Sequence, residues 1–435
     1  MYFIPIYILI LFFTIIIDYF AGIWIEKSPD NRKKTYLILS LITNIGILAI
    51  FKYYNFFISN INSFIPAESH FSLLSIILPV GLSFHTFQAM SYTIEVYRGK
   101  QKAERHFGIY ALYVMFYPQL VAGPIERPQN ILHQFKEEKE FDFDRISSGL
   151  KLILLGLVKK VIVADRLAIV VDEVYANPGS YNGIAFLICA IFFSFQIYCD
   201  FSGYSDLAIG SARVLGFDLM KNFRQPYFAK SITEFWSRWH ISLSTWFKDY
   251  LYIPLGGNRV SKQRLIMNLL LVFMVSGFWH GANWTFIVWG AIHGVLVVLS
   301  NLNKFKLNLP TFIGYGFTFF VVTIAWVFFR AENLDAAFHF LGRIFSFSDK
   351  TYFELSKLDI HGLPSTFLGL PLWKFLLTSL LIPVLLIIDY LVAKDKFIVL
   401  KKKNPIFSYV FYSLIITSIM VFGVFETKQF IYFQF

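Results

Sequence analysis

Between Leu265 and Asn303 the chain runs for 39 residues without a lysine, arginine, aspartate or glutamate. About 20 apolar residues in a helix already cross the ~30 Å hydrocarbon core of a bilayer, so this stretch fits a hairpin of two spans. Other long apolar runs are Tyr2 to Ile25, Thr35 to Ile58, Phe71 to Ile94, Gly183 to Cys199, Thr311 to Phe329, Trp373 to Ala393 and Pro405 to Phe425. In lipid every backbone N–H and C=O must be satisfied internally, which leaves helices or closed barrels. A barrel would show alternating segments of about 10 residues, not solid runs. The expected fold is all-α: a polytopic helical membrane protein of roughly ten transmembrane helices, with re-entrant or interfacial segments around a central catalytic core.

Charged residues make up 15 % of the chain, against about 25 % in a soluble domain. The net charge of +11 would suggest nucleic acid for a soluble protein. Here the basic residues collect in short loops, where they meet anionic membrane lipid and set orientation, so no nucleic-acid partner is expected. The first run is too long for a signal-peptide core and has no basic region before it, so it reads as a retained helix. Cys189 and Cys199 lie in or beside an apolar segment, without zinc spacing and with no disulfide framework implied.

Loop charge orients the spans. The loops beginning at Glu26 and Arg98 each carry four Lys/Arg, and the one between them, from Ser59, carries none. Basic loops stay in the cytoplasm, which puts the amino terminus outside. "NRVSKQR" from Asn258, Lys304/Lys306 and the stretch from Lys394 are further cytoplasmic candidates, and 331–372 is an outside loop. "FYPQLVAGPIERPQN", with three prolines and a glycine, suggests re-entrant or interfacial backbone. "LKLILLGLVKKVIVADRL" from Leu150 mixes apolar and basic residues, as an interfacial helix does. The chain is read as one membrane-embedded domain, 1–435, with N-terminal helices (1–100), a catalytic core (107–305) and C-terminal helices (306–435).

Two stretches carry chemistry. In "SITEFWSRWHISLSTWFKDYLYIPLGGN", from Ser231, the charges are too many for an unaided span, and six of the nine tryptophans fall between Trp236 and Trp289. Ser231 and Thr233 are N-cap candidates for a helix placing Trp236 and His240 at i, i+4, with Ser244 one turn on. An aromatic belt at the membrane interface is the simpler reading of the same tryptophans. In "GFWHGANW", a helix rising ~1.5 Å per residue from Arg264 carries His280 roughly 24 Å in, past the bilayer midplane. An ionisable group at that depth is functional by default, the alternative being a core imidazole bonded to a carbonyl. On one helix His280 and His293 would sit about 220° apart. No HExxH, CxxC or GxSxG occurs, so neither zinc nor a serine-hydrolase triad is supported. Burial favours an uncharged imidazole, and the simplest use of His280 is as general base on a hydroxyl.

"QIYCDFSGYSDLAIGSARVLGF", "ITEFWSRWHISLSTWFKDYLYIPLGGNR", "SGFWHGANWTFIVWGAIHG" and "FIYFQF" strongly resemble the membrane-bound O-acyltransferase family. More narrowly, they resemble its bacterial branch typified by the membrane subunit of alginate O-acetyltransferase. "LPVGLSFHTFQAMSYTIEVYRG" and "LVAGPIERP" are similar to the same branch, so the likeness covers nearly the whole chain. Relatives of this branch begin with additional apolar segments upstream of the one starting at Tyr2.

The resemblance implies an essential histidine at His280 and a second polar position, forty residues upstream, at His240. It assigns no catalytic role to His293. It further implies acetyl transfer from a cytoplasmic donor, acetyl-CoA, to hydroxyls of an extracytoplasmic polysaccharide. A separate SGNH-hydrolase-like protein would complete that transfer, with the chain in the bacterial cytoplasmic membrane. His280 would be the base, and His240 would hold the thioester carbonyl or orient the acceptor. Trp236, Arg238 and Ser244 are pocket-wall candidates, Arg238 with lipid phosphate as its other fate. Three alternatives stay open. D-alanyl transfer to teichoic acids would need a carrier-protein surface, a transporter would show inverted repeats, and a scaffold would tolerate loss of both histidines.

Overall fold

A computed structural model describes residues 6–181, 183–301, 310–346, 367–393, 405–425 and 430–431. Lys304/Lys306, residues 347–366 of the expected outside loop, the basic stretch 394–403 and all but Phe430 and Ile431 of the terminal motif lie outside them. The described residues are mostly helical: α1 (Tyr7–Lys27), α2 (Asp30–Leu48), α3 (Tyr54–Asn62), α4 (Leu82–Tyr97), α5 (Phe107–Met115), α6 (Pro128–Ile131), α7 (Phe143–Leu157), α8 (Asp165–Ala176), α9 (Gly183–Val214), α10 (Ile232–Arg238), α11 (Ile241–Phe247), α12 (Lys262–His280), α13 (Trp284–Asn301), α14 (Thr311–Arg330) and α15 (Leu334–Ile344), followed by Leu372–Ala393 and Pro405–Phe422. Among the described residues, six helices are long and apolar enough to cross a membrane. The protein is a multi-pass helical membrane protein.

Contacts divide the chain into two compact units, residues 1–153 with 207–221, and residues 154–206 with 222–435. In the first, α1, α2 and α4 pack with α5 around buried Ile15, Tyr92, Tyr110 and Tyr113. The expected span from Phe71 to Ile94 is helical only from Leu82. Pro79 lacks a backbone donor and Gly81 takes a left-handed φ of 82°, so the helix starts only after them. Between Met115 and Pro128 the backbone is irregular, as its prolines imply, and Gln119, Ile125 and Glu126 within it are buried in protein.

The second unit holds an aromatic core of Phe235, Trp239, Trp289, Trp326 and Phe329. Of the six tryptophans open to a belt reading, Trp239, Trp246, Trp279 and Trp289 are interior, Trp236 is partly buried and Trp284 is half exposed. Lys159 and Lys160, two of the three lysines in the presumed interfacial stretch, also point inward. Lys159 Nζ meets Asp206 at 2.7 Å, and Lys160 Nζ meets Asp200 at 2.6 Å and Asp165 at 2.8 Å.

The uncharged run folds as a hairpin, α12 and α13 turning at 281–283, and of its two arms α13 is among the six helices long and apolar enough to cross a membrane. Small residues let the two backbones touch. A Cβ on Gly277 would collide with the carbonyl oxygen of Phe286, and one on Gly290 with that of Phe273. Because backbone cannot step aside as a side chain can, Gly277→Ala is expected to cost about 2–3 kcal/mol, read as a lower melting temperature of the purified protein. A melting temperature equal to wild type would show that the hairpin has slack.

Candidate active site

The site grows from a bend that sequence periodicity does not show. The helix expected to run through Trp236, His240 and Ser244 is broken. α10 ends at Arg238, Trp239 is extended, His240 has φ 43° and ψ 55°, and α11 begins at Ile241. A left-handed conformation is uncommon for a residue with a Cβ and persists only where the surroundings hold it.

Asn222 is what holds it. Its carbonyl oxygen accepts the backbone N–H of Ile241 at 2.9 Å. Its side-chain Oδ1 accepts the backbone N–H of Ser242 at 3.2 Å and the Ser242 hydroxyl at 3.0 Å. Asn222 thus caps the start of α11 from another segment, where His240 supplies no side-chain cap of its own. At the other end of the bend, Ser231 caps α10 by accepting from the Glu234 N–H, as expected.

The same asparagine sets the chemistry of His240. Because Oδ1 accepts from a backbone N–H, it must be oxygen, and the His240 Nδ1 standing 3.1 Å from it must donate. A neutral His240 therefore carries its proton on Nδ1 and its basic lone pair on Nε2. The Asn222 amide is turned this way by its other bond, Nδ2 to Ser205 Oγ at 3.3 Å. His240 lies outside the six candidate spans, and burial pushes its pKa down to about 3. It is uncharged across the physiological range.

His280 is the last residue of α12 and is buried, with Trp289 edge-on at 5.2 Å and Phe329 at 5.4 Å. Its ring centroid is 6.4 Å from that of His240, so the two imidazoles named from sequence come together. Ser244 and Ser276, one turn from His240 and His280 respectively, both line a cavity of about 180 Å³, with Trp236 in its wall. Lys248, Tyr252 and Leu269 also line it, and the same three residues line an open cavity of about 900 Å³ that takes in Asn258 and Arg259. The two hollows therefore adjoin, and between them they run from Asn258 and Arg259 to Ser244 and Ser276.

Arg238 is not in that wall. Its guanidinium pairs with Glu234 at 2.6 Å and reaches the Gln225 carbonyl at 3.4 Å. Trp236 also has a second function, donating its indole N–H to His293 Nδ1 at 3.3 Å. His280 and His293 lie on the two arms of the hairpin, so the 220° separation on a single helix does not apply to them. Trp289 touches both rings, at 5.2 Å and 5.1 Å. His293 thus belongs to the cluster, and its two-helix geometry follows from the turn at 281–283. Asn222 had no signal in the sequence, since its role comes from long-range contacts alone. Among the described residues, no group of three His, Cys, Asp or Glu is disposed to hold a metal ion.

The fold is that of a multi-pass helical membrane protein with two imidazoles buried 6.4 Å apart, each one turn from a residue that lines a cavity. The chain belongs to the membrane-bound O-acyltransferase family, whose model matches residues 105–334, and it is an O-acyltransferase. It is 41 % identical over 352 residues, 80 % of this chain and 72 % of the other, to "Probable alginate O-acetylase AlgI" of Pseudomonas putida. It is 38 % identical over 383 residues, 81 % of this chain and 72 % of the other, to the peptidoglycan O-acetyltransferase of Helicobacter pylori. The teichoic acid D-alanyltransferase of Streptococcus thermophilus is more distant, 30 % identical over 51 % of this chain and 56 % of its own length.

Proposed function

We propose that the protein moves an acetyl group from acetyl-CoA, on the cytoplasmic side of a bacterial cytoplasmic membrane, to hydroxyls bound for an extracytoplasmic polysaccharide. The observation that carries this reading is the His240–His280 pair, 6.4 Å apart, each one turn from a serine of a cavity that adjoins the basic hollow lined by Lys248 and Arg259. Basic side chains at the mouth suit the phosphates of coenzyme A. Relatives named for acetylating alginate and peptidoglycan support a carbohydrate acceptor, and the poorer match to D-alanyltransferases favours acetyl over D-alanyl transfer.

In this reading His280 removes the acceptor's hydroxyl proton as the oxygen attacks the thioester carbonyl. The tetrahedral oxyanion then expels the coenzyme A thiolate, which takes the proton back from the imidazolium. Of the two roles open to His240, its tautomer favours one. Nδ1–H is committed to Asn222 and Nε2 offers a lone pair, so His240 accepts a second hydroxyl of the acceptor and orients it, leaving the reacting O–H to His280; it does not donate to the thioester carbonyl. Trp236 and Ser244 wall the acyl end of the donor, and Arg238 braces the bend through Glu234 and Gln225. An SGNH-hydrolase-like protein outside the membrane receives the group and completes transfer to the polymer.

The test uses membrane vesicles with the cytoplasmic face outward, supplied with acetyl-labelled acetyl-CoA. Label is expected in the polysaccharide fraction as alkali-labile ester. Label that never leaves coenzyme A, alongside ester formation from a D-alanyl carrier, would replace the reading. Ser276→Phe fills the cavity wall one turn from His280 and is expected to cut this transfer by on the order of tenfold or more, equivalent to about 1.4 kcal/mol, at an unchanged melting temperature. Unaltered transfer would exclude the cavity as the donor's path.

A further inference from the structure

A second polar cluster lies in the first unit, in helices the acyl-transfer reading does not use. Asp18 is midway along α1, inside a candidate span, and is fully buried. Its Oδ1 stands 2.5 Å from Ser40 Oγ, which stands 3.0 Å from Thr93 Oγ1, which stands 3.2 Å from the Met90 carbonyl oxygen. Asn44 Nδ2 lies 3.0 Å and 2.8 Å from the two carboxyl oxygens and donates to the Ser40 carbonyl at 3.0 Å. Asn44 Oδ1 and the hydroxyl of Tyr110 are buried with no hydrogen-bond partner.

Counting protons along this chain decides the state of the acid. Three oxygen–oxygen contacts, Asp18–Ser40, Ser40–Thr93 and Thr93–Met90, need three protons. A carbonyl has none to give, and two hydroxyls supply two. The third must sit on the carboxyl group. We propose that Asp18 is an intramembrane proton-binding site: a carboxylic acid that donates to Ser40, which donates to Thr93, which donates to the Met90 carbonyl. The proton thereby ties α1 to α2 and α4.

The surroundings agree. The groups facing Asp18 are Ser40 and Asn44 of α2, Thr93 of α4 through Ser40, and Tyr110 of α5, which interacts with it electrostatically. None bears a positive charge. An ionised carboxylate there would stand without a counter-charge, at a cost of several kcal/mol, and would leave one contact without a proton. A metal cation fits less well, because Asn44 turns its NH₂ group to the carboxyl. Reversing that amide would set its oxygen against the Ser40 carbonyl.

Asn keeps the two main bonds of the protonated acid, donating to Ser40 through its amide and accepting from Asn44 through its oxygen, and gives up only the longer contact of Asn44 Nδ2 with Oδ1. The test compares full-length wild type, Asp18→Asn and Asp18→Ala in lipid nanodiscs. The wild-type minus Asp18→Asn infrared spectrum at neutral pH is expected to show the carbonyl band of a protonated carboxylic acid, shifted down in D₂O. Asp18→Asn is expected to melt with wild type and Asp18→Ala at a lower temperature. A carboxylate band in that difference would overturn the assignment, as would Asp18→Asn melting as low as Asp18→Ala. A melting temperature raised by sodium over choline in wild type alone would overturn it in favour of a cation.

Discussion

Cells carrying His280→Ala are expected to lose ester-linked acetate on their polysaccharide by on the order of 10²–10⁴-fold, the range in which a general base contributes, with the variant present in the membrane at the wild-type level. The fold should survive. His280 ends α12 with its ring against Trp289 and Phe329, and alanine leaves the hairpin contacts at Gly277 and Gly290 intact. Loss of packing is therefore local, whereas loss of the proton acceptor reaches every turnover. Ester content is read by mild alkaline release of acetate from purified polymer. Acetate within a factor of two of wild type would remove His280 from the reaction.

Asn222→Ala is expected to have the second largest effect, and through two routes. The side-chain acceptor of the Ser242 N–H, the Ser242 hydroxyl and the His240 Nδ1–H disappears at once. A buried donor left unmatched costs about 1–3 kcal/mol, so a loss of roughly 3 kcal/mol in stability is expected. His240 also loses the partner that keeps its proton on Nδ1 and its backbone left-handed, and transfer should fall on the order of 10² or more. Asn222→Asp separates positioning from stability. It restores an acceptor for all three donors and places a negative charge beside His240, which favours the charged imidazole. The pKa of His240 then rises from its depressed value. The acid limb of the rate profile is expected to move to higher pH, with much of the stability regained. A profile unchanged in shape, with a rate that follows stability alone, would reduce Asn222 to a scaffold residue.

The parts legible in the sequence are those set by local physics. The 39-residue uncharged run reads as a hairpin because only its length and composition matter, and α12 and α13 are that hairpin. Ser231 reads as a cap because an N-cap acts within three residues. The Glu234–Arg238 pair was also legible at i, i+4 and would have moved Arg238 from the pocket wall to the helix surface. What periodicity could not show is the bend at His240, since a left-handed residue with a Cβ is imposed by its partner. That partner, Asn222, is joined to it by folding and not by spacing. The proton count at Asp18 needs three helices together and is equally invisible in one of them.

The most direct measurement is a structure of the protein in lipid with an acetyl-CoA analogue whose thioester is replaced by a non-cleavable ketone. The carbonyl of the analogue is expected between His240 and His280, with its pantetheine arm past Ser244 and Ser276 and its phosphates beside Lys248 and Arg259. An analogue bound elsewhere, with the space between the two imidazoles unoccupied by it, would contradict the account.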